Sequence, residues 1–531
     1  MPPPCHGLAV CALLGACASA EQHAAAADAE VYALLDARRA ELFADPAGFR
    51  VEPEAERLRT RLLAAPDGAA EPVGIVACLE IAAANSRDYQ QRKERLYRAA
   101  LDLTLARWRF STIGTLAGSA GVDGVGNASA DASVDADLGL SRLLGSGARI
   151  VGGIGASLFR VVSTGDGWDV VSDLSLSITQ PLLRGAAREV VLEPLTQTER
   201  DLVYEVRNYE RFRRTFAVDV ANEYYAILVT LDQIANEEEN LRGVRYIEEV
   251  SQARTEAGRL SPIQRDQASQ DVLSSETNLL QLRARFGQQL DSFKLRLGLP
   301  PEAGLTLDPA ELVVLRDLDG SDLEPLDSDD LALGALARRL DYLNTTEAVL
   351  DAERRARIAA DALRAGLDLE ASIGSSSEEG RPFTFRSDNA PWSLGIGWNL
   401  PIDNLPDRNA YRSALLDLQA AMRAEEDARD RVLSGLRDDL RQATNARERH
   451  QVQSAAVLLA ARRVESSQLN FDAGRVQTRD LLEARRSLLS AQNAATSALR
   501  DFAISRLRLY TDLELLEVGP EGIHVTASAA P

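Results

Sequence analysis

Side chains that could perform covalent or metal chemistry are few and scattered in this 531-residue sequence. The four histidines show no metal-ligand spacing: His6, His23, His450 and His524. The chain has no Gly-x-Ser-x-Gly elbow, no His-Glu-x-x-His motif and no Cys-x-x-Cys pair. Gly152-Gly-Ile-Gly155 is not a phosphate loop, because no helix-forming pattern follows it as a βαβ unit requires. The sequence therefore predicts neither an enzyme nor a metal or cofactor site.

One cysteine has a context that predicts a modification. Leu14-Gly-Ala-Cys17 follows a short apolar run and matches a lipobox, in which the cysteine is acylated after cleavage. Residues 1–17 are therefore predicted to be an export signal with lipidation at Cys17. Residues 1–5 lack Lys and Arg, so either the start codon is misplaced or the signal is weak. The alternative to lipidation is an ordinary cleaved signal peptide. Downstream, no run approaches the roughly 18 apolar residues of a spanning helix, so any membrane crossing must be made by strands closed into a barrel.

Two short segments repeat one another and predict paired helical hairpins. Thr255-Glu-Ala-Gly-Arg-Leu-Ser261 and Phe471-Asp-Ala-Gly-Arg-Val-Gln477 share an acid, Ala, Gly, Arg and an aliphatic residue in register. Long charged stretches with helical periodicity flank both, so Gly258 and Gly474 are predicted to be left-handed helix ends that reverse the chain. The first stretch also has a coiled-coil seam with spacings of 4, 3, 4 and 3: Val220, Tyr224, Ile227, Leu231 and Ile234.

Strand patterns also occur twice. Residues 173–181 alternate Leu and Ile with Ser and Thr before Pro181, and residues 392–401 alternate in the same way before Pro401. The unit of strand, long helix, turn and long helix is thus present in two copies. The first β segment is longer, and its extra residues form either a long surface loop or one added hairpin. All four tryptophans lie in or beside these segments, as in an interfacial aromatic girdle or, alternatively, the core of a soluble sheet: Trp108, Trp168, Trp392 and Trp398.

These patterns give a domain plan. An N-terminal extension (18–72) precedes repeat 1 (73–300), which has a helix, a β-hairpin at about 107–181 and a helical hairpin at about 190–298. A linker or equatorial segment (301–330) leads to repeat 2 (331–518), which has a helix, a β-hairpin at about 364–401 and a long helical hairpin at about 410–516. The tail (519–531) is predicted to be disordered.

Composition and topology together predict an oligomer. A net charge of −21 argues against nucleic-acid binding, and 5% aromatic residues are few for one large globular core. Four strands cannot enclose a pore, because the smallest spanning barrels use about eight. Open strand edges in lipid would leave amides unpaired, so several chains must combine.

Over roughly residues 73–518 the chain resembles the TolC-like outer-membrane efflux proteins. The strand-Pro junctions, the paired Ala-Gly-Arg turns and the exported N-terminus carry this resemblance through their order and double occurrence. It implies a mainly α fold with a β-barrel part: two tandem repeats of β-hairpin plus very long antiparallel coiled-coil helices, trimerising into a β-barrel and α-barrel tunnel. In that family each protomer gives two β-hairpins, and the duct docks onto a periplasmic adaptor and an inner-membrane transporter.

The resemblance also implies functional positions near the turns. Asp480 and Glu483 match acidic gate residues that threefold symmetry would gather into rings, and Phe471 matches a gate aromatic. The alternatives are structural: Asp480 and Glu483 as acids of the first helical turn that complement the helix dipole, and Phe471 as an aromatic that packs the turn. In the first repeat Gln264 stands where the gate acid is expected, with Asp266 two residues on. The adaptor-docking turns are Ala257, Gly258, Arg259, Leu260, Ser261, Ala473, Gly474, Arg475 and Val476.

The sequence thus predicts a trimeric exit duct of a tripartite efflux or type I secretion system. It would lie in the outer membrane of a Gram-negative-type bacterium and extend into the periplasm, with no cofactor and no nucleic acid. The alternative is a periplasmic coiled-coil scaffold that is anchored only by the lipid on Cys17 and forms no pore.

Overall fold

The computed structural model describes residues 19–43, 49–51, 72–125, 129–161, 167–316, 318, 328–378, 381–386, 388, 390–519 and 522–525. The predicted leader with Cys17 lies outside these residues, as do parts of the N-terminal extension, the linker and the tail. None of the helices in the described part of the chain combines the length and the apolar character that a bilayer-spanning helix requires.

Six strands form one antiparallel sheet in sequence order. They are β1 (Thr112–Val125), β2 (Ser129–Leu143), β3 (Arg149–Val161), β4 (Asp169–Pro181), β5 (Gly366–Ser376) and β6 (Trp392–Asn399). Pairing of β4 with β5 joins the two repeats, from Asp173 opposite Ser376 to Pro181 opposite Asp368. The strands that precede the two proline junctions therefore lie in the same sheet.

The first β segment contains two hairpins, which decides the question left open by its length. The predicted single hairpin at 107–181 is corrected to the pairs β1–β2 and β3–β4. Gly147 makes the turn between β2 and β3 with φ +82°, and a Cβ there would lie 2.7 Å from Pro181 Cγ. Glycine is thus required at this turn both for its backbone conformation and for the close packing.

Two very long helical hairpins follow the strands, as predicted. The first consists of α4 (Arg188–Glu256) and α5 (Pro262–Arg296), and the second of α9 (Leu405–Asp472) and α10 (Thr478–Asp512). The predicted seam is buried at Val220, Tyr224, Ile227 and Ile234. Residues of all four helices share one apolar cluster near the turns, including Ile247, Val272, Phe471 and Leu481. Few aromatic residues are needed to form this core, because the helices bury only narrow stripes of apolar side chains against each other.

Shorter helices connect these elements. They are α1 (Ala20–Phe43), α2 (Ile75–Asn85), α3 (Arg87–Trp108), α6 (Glu311–Arg316), α7 (Ser328–Arg338) and α8 (Leu340–Asp361). The single helix predicted at the start of repeat 1 is broken at Ser86, whose ψ of 130° is extended. The tail predicted to be disordered from Gly519 instead contains β8 (Gly522–Val525), paired with β7 (Leu516–Gly519). Its Ile523 and Val525 pack on an apolar cluster, which explains why this segment is ordered.

The chain divides into two compact units. One comprises residues 1–50, 95–206 and 345–425 and contains the six-stranded sheet. The other comprises residues 51–94, 207–344 and 426–531 and contains both helical turns. The helices α3, α4, α8 and α9 contribute residues to both units, so each repeat runs through both.

Candidate functional site

One face of the six-stranded sheet carries the acidic strand residues. Directly paired residues lie on the same face, so Asp137 on β2, Gly155 on β3 and Asp173 on β4 form one row. Acidic side chains recur along this polar face: Asp123, Asp131, Asp135, Asp137, Asp169, Asp173, Asp368 and Glu370. Among the described strand residues, Arg149 is the basic side chain on the same face. The polar face therefore has a large excess of negative charge.

Gly155 lets two of these carboxylates approach each other across β3. A Cβ at Gly155 would lie 2.5 Å from Asp173 Oδ1 and 2.8 Å from Asp137 Oδ1. A larger residue would push both carboxylates away from the row. The negative potential of the polar face is thus concentrated at this level of the sheet.

The opposite face is mainly apolar across all six strands and is exposed. It presents Leu116, Val122, Leu138, Leu140, Ile154, Leu158, Leu174, Leu176, Ile178, Ile373, Trp392, Leu394, Ile396 and Trp398. Its charged residues among the described strands are Arg142 and Arg160, each next to the last residue of its strand. The exposed fraction is 66% at Leu116 and 75% at Trp392. Such a contiguous exposed apolar surface marks an interaction with lipid or protein.

The four tryptophans fall at the two ends of the strands. Trp108 and Trp398 lie where strands adjoin helices, just before β1 and near the end of β6. Trp168 and Trp392 lie at the other end, just before β4 and at the start of β6. All four side chains are about half exposed or more. Tryptophans at both ends of an apolar strand surface are typical of membrane interfaces.

The two helical turns have the same backbone geometry. Gly258 and Gly474 have φ of +68° and +71°. In each turn the residue after the glycine donates its N–H to a carbonyl five residues back, Arg259 to Arg254 and Arg475 to Asn470, both at 2.8 Å. These are Schellman ends, which satisfy carbonyls at the close of a helix. The prediction that both glycines are left-handed C-terminal caps is confirmed.

Both turns present glycine and arginine outward and an aliphatic residue inward. Gly258, Arg259, Gly474 and Arg475 are exposed, and a Cβ at either glycine would meet nothing within 4 Å. Val476 packs on the apolar cluster that the four long helices share. The remaining predicted docking residues follow this division: Ala257, Ser261 and Ala473 are exposed, and Leu260 is half-buried.

Phe471 packs the second turn. Its side chain is fully buried, and the Arg254 guanidinium lies 4.6 Å above its ring centroid. Arg254 Nη1 also donates to the Phe471 carbonyl at 3.0 Å and Nη2 to the Asp472 carbonyl at 3.2 Å. An arginine at the end of α4 thus caps the end of α9. Of the two roles considered for Phe471, the structure favours packing, since the ring does not extend into open space.

Asp480 and Glu483 have different surroundings. Asp480 forms a capping box with Gln477: the Asp480 carboxylate accepts a hydrogen bond of 3.3 Å from the Gln477 backbone N–H. It therefore stabilises the first turn of α10, as the dipole alternative requires. Glu483 is exposed and accepts a hydrogen bond from Arg463 Nη2 at 2.9 Å. Most of the Glu483 side chain lies in solvent.

Several tip contacts were not found by sequence reasoning. Arg486 on α10 pairs with the buried Asp271 on α5. The Arg485 guanidinium lies against Gly243 of α4, where a Cβ would be 1.8 Å from Nη1. Burial lowers the pKa of Arg485, and Glu239 opposes that effect. The available signals were a glycine inside a predicted helix, Gly243, and the adjacent arginines Arg485 and Arg486. The sequence does not show that they meet, because they are more than 200 residues apart.

The described residues contain no cluster of His, Cys, Asp and Glu that could hold a metal ion. Cys78, the free cysteine in the described part of the chain, is buried, and burial raises the pKa of its thiol to about 12. Such a thiol is a poor nucleophile.

Comparisons with known proteins agree with this geometry. The family model described as outer membrane efflux protein matches residues 333–513. Similar solved structures include the outer-membrane channel OprN, at 15% identity over 83% of this chain and 89% of that chain with a TM-score of 0.59. VceC from Vibrio cholerae has 18% identity, 83% and 95% coverage and a TM-score of 0.58. The MtrE outer membrane channel of Neisseria gonorrhoeae has 17% identity, 83% and 88% coverage and a TM-score of 0.58. No curated protein matches the sequence.

At these identities the solved structures show the fold, and the family model adds a match in sequence over most of repeat 2. The mainly helical fold with tandem repeats and a sheet part is therefore confirmed. Residues 333–513 match the family model described as outer membrane efflux protein, and the described fold is that of the solved outer-membrane channels.

Proposed function

We propose that this protein is one subunit of a passive outer-membrane exit duct that works as a homotrimer. It would receive cargo from an inner-membrane transporter through a periplasmic adaptor, in a tripartite efflux or type I secretion system. One observation carries the proposal: the sheet has a continuous exposed apolar face and an acidic opposite face within one chain.

The two faces fit lipid on one side and water on the other. Apolar residues with tryptophans at both ends suit the acyl region and its interfaces. Acidic and glycine-rich strand residues suit a water-filled lumen, in which the excess of carboxylates favours cations. The apolar face would be a liability for a water-soluble scaffold, which would have to expose it to water.

The helical turns are the proposed ends of the duct in the periplasm. Their exposed Gly258, Arg259, Gly474 and Arg475 would be the contact points for the adaptor. Threefold symmetry would gather Asp480 and Glu483 from three chains into acidic rings that hold cations and narrow the passage. Glu483 is the more exposed of the two and would contribute more of the ring's field.

The proposed location is the outer membrane, with the helical part in the periplasm. Acylation of Cys17 would add a second attachment to the same membrane. Metabolic labelling with a fatty acid, compared between the natural chain and Cys17→Ala, tests this attachment separately. Loss of the label with unchanged channel activity would show that the lipid is an anchor and not part of the pore.

A charge placed on either face of β6 tests the proposal. Leu394→Arg puts a cation on the apolar face, which costs about 2–4 kcal/mol in the middle of a bilayer. It should abolish heat-modifiable trimers and recovery in carbonate-washed outer membranes. Gly395→Arg is the matched control, because the neighbouring position lies on the polar face and has free space for a side chain. It should assemble normally and reduce cation selectivity in planar bilayers.

Equal tolerance of the two substitutions would contradict a lipid-facing surface. A lipid-anchored scaffold would show this result, together with an absence of conductance. Deletion of the gene followed by a susceptibility panel of drugs, metals and dyes then identifies the class of cargo.

A further inference from the structure

The hairpin β1–β2 is a full part of the sheet. β1 pairs with β2 from Thr112 opposite Arg142 to Val125 opposite Ser129. β2 in turn pairs with β3 from Asp131 opposite Val161 to Leu143 opposite Arg149. A surface loop would not be hydrogen-bonded along its whole length to the neighbouring strand. The hairpin thus extends the sheet from four strands to six.

This hairpin follows the same division of faces as the other strands. Leu116 and Val122 continue the apolar face, with exposed fractions of 66% and 72%. Asp135 and Asp137 continue the acidic face. A hairpin lying in water has no need of such an apolar face, whereas a wall strand between lipid and lumen requires this alternation.

The sheet ends in two edges that are complementary. Within the described residues β1 is bonded only to β2, and β6 only to β5. Each consecutive pair is antiparallel, so β1 and β6 run in opposite directions. β6 of one copy can therefore continue the ladder onto β1 of the next, with apolar side chains on the same side. In lipid each unpaired edge amide would have no water to bond with, so a second copy is the occupant that fits.

We infer that the β1 edge of one copy pairs with the β6 edge of the next, and that three copies close a barrel of about 18 strands. This inference rests on the proposed trimeric duct. If β3 were the edge instead, three copies would give about 12 strands. With about 4.8 Å between strands and a tilt of about 40°, a barrel of about 12 strands has a backbone diameter of about 24 Å. A barrel of about 18 strands has a diameter of about 36 Å. The wall is then that of a general aqueous pore, since barrels of about 16–18 strands leave a wide channel.

Cysteine cross-linking in outer membranes distinguishes the two edges. On the polar face, Thr115→Cys, Ala117→Cys or Ser119→Cys on β1 is combined with Ser393→Cys, Gly395→Cys or Gly397→Cys on β6. Within one chain these strands are five positions apart in the sheet, much farther than the roughly 6 Å between Cα atoms that a disulfide spans. Any disulfide between them must therefore join two chains. We expect dimers and trimers on non-reducing gels for at least one pair.

The control places a cysteine on β3, with Val151→Cys or Ser157→Cys combined with the same β6 positions. β3 already has two neighbours, so these pairs should remain monomeric. A second control, Leu116→Cys with Gly395→Cys, puts the thiols on opposite faces and should also give no link. The natural chain supplies the background from its own cysteines. Cross-links from β3 to β6 and none from β1 would overturn the inference.

Conductance separates failure of this inference from failure of the proposed duct. Heat-modifiable trimers that conduct but give no β1–β6 link would overturn the wide barrel and leave the duct intact. Absence of both trimers and conductance would overturn the duct itself. For the intact protein, polymer exclusion in planar bilayers should report a barrel about 1.5-fold wider than one of about 12 strands, because diameter grows roughly linearly with strand number.

Discussion

Arg254 offers a sharp test of how the helical tips are held. It lies in the last turn of α4, yet its guanidinium caps α9 through the carbonyls of Phe471 and Asp472 at 3.0 and 3.2 Å. It also covers the buried ring of Phe471. Replacement by alanine should therefore loosen the end of α9 while leaving the rest of the hairpins intact.

The expected loss follows from these contacts. Each hydrogen bond contributes about 1 kcal/mol after exchange with water, and the ring contact and the helix dipole add about 0.5 kcal/mol. A local loss of about 2.5 kcal/mol corresponds to amide exchange about 70-fold faster. The Schellman amides of Gly474 and Arg475 should report it.

Hydrogen exchange on the detergent-solubilised protein, read by mass spectrometry over residues 466–478, measures this change. Arg259→Ala is the matched control, since it removes an exposed arginine from the neighbouring turn. Arg254→Lys keeps the charge but loses the two-pronged geometry and should fall between the two. Equal exchange in Arg254→Ala and Arg259→Ala would refute the capping role.

Three further outcomes are expected. Asp480→Asn combined with Glu483→Gln should weaken block by multivalent cations in bilayers, and unchanged block would remove the charged ring. Burial and a hydrogen bond with Asp512 raise the pKa of Asp439 to about 7, above its usual value of about 4. The folded state therefore holds this proton more tightly, and the resulting stability is fully present below about pH 4 and lost as pH rises through about 7. Asp439→Asn should flatten the thermal stability profile across that window, and a profile as steep as that of the natural chain would contradict this assignment. Gly298→Ala should cost about 3 kcal/mol or more, because φ is +78° and a Cβ would lie 2.0 Å from the Asn85 carbonyl oxygen. Gly258→Ala, with φ +68° and free space, should cost only about 1 kcal/mol; similar melting temperatures for the two would contradict the packing argument.

Local patterns in the sequence predicted much of this fold. The period-two alternation before Pro181 and Pro401 located β4 and β6, and the heptad spacing near Val220 located the buried seam of α4. Both patterns report which side of one element faces away from water, so they need no knowledge of the partner. The turn glycines were equally clear, because a left-handed helix end favours glycine whatever surrounds it.

Other features depended on contacts between distant parts of the chain. Whether the extra residues of the first β segment form a long loop or one added hairpin could not be decided from the sequence, since Gly-rich and Ala-rich strands give a weak pattern. The strand β8 near the start of the tail was not predicted, because Ile523 and Val525 become partly buried only on an apolar cluster built from other segments.

The amino-acid sequence by itself determined the two repeats, the long helical hairpins, their turns and the two-faced strands, because periodicity and glycine conformation are local properties. Only the tertiary structure decided that β1–β2 joins the sheet, that Phe471 packs beneath Arg254, and that Asp480 caps its own helix. Each of these depends on which backbone and side-chain groups meet in space, and that is settled by cross-strand hydrogen bonding and packing rather than by any one segment.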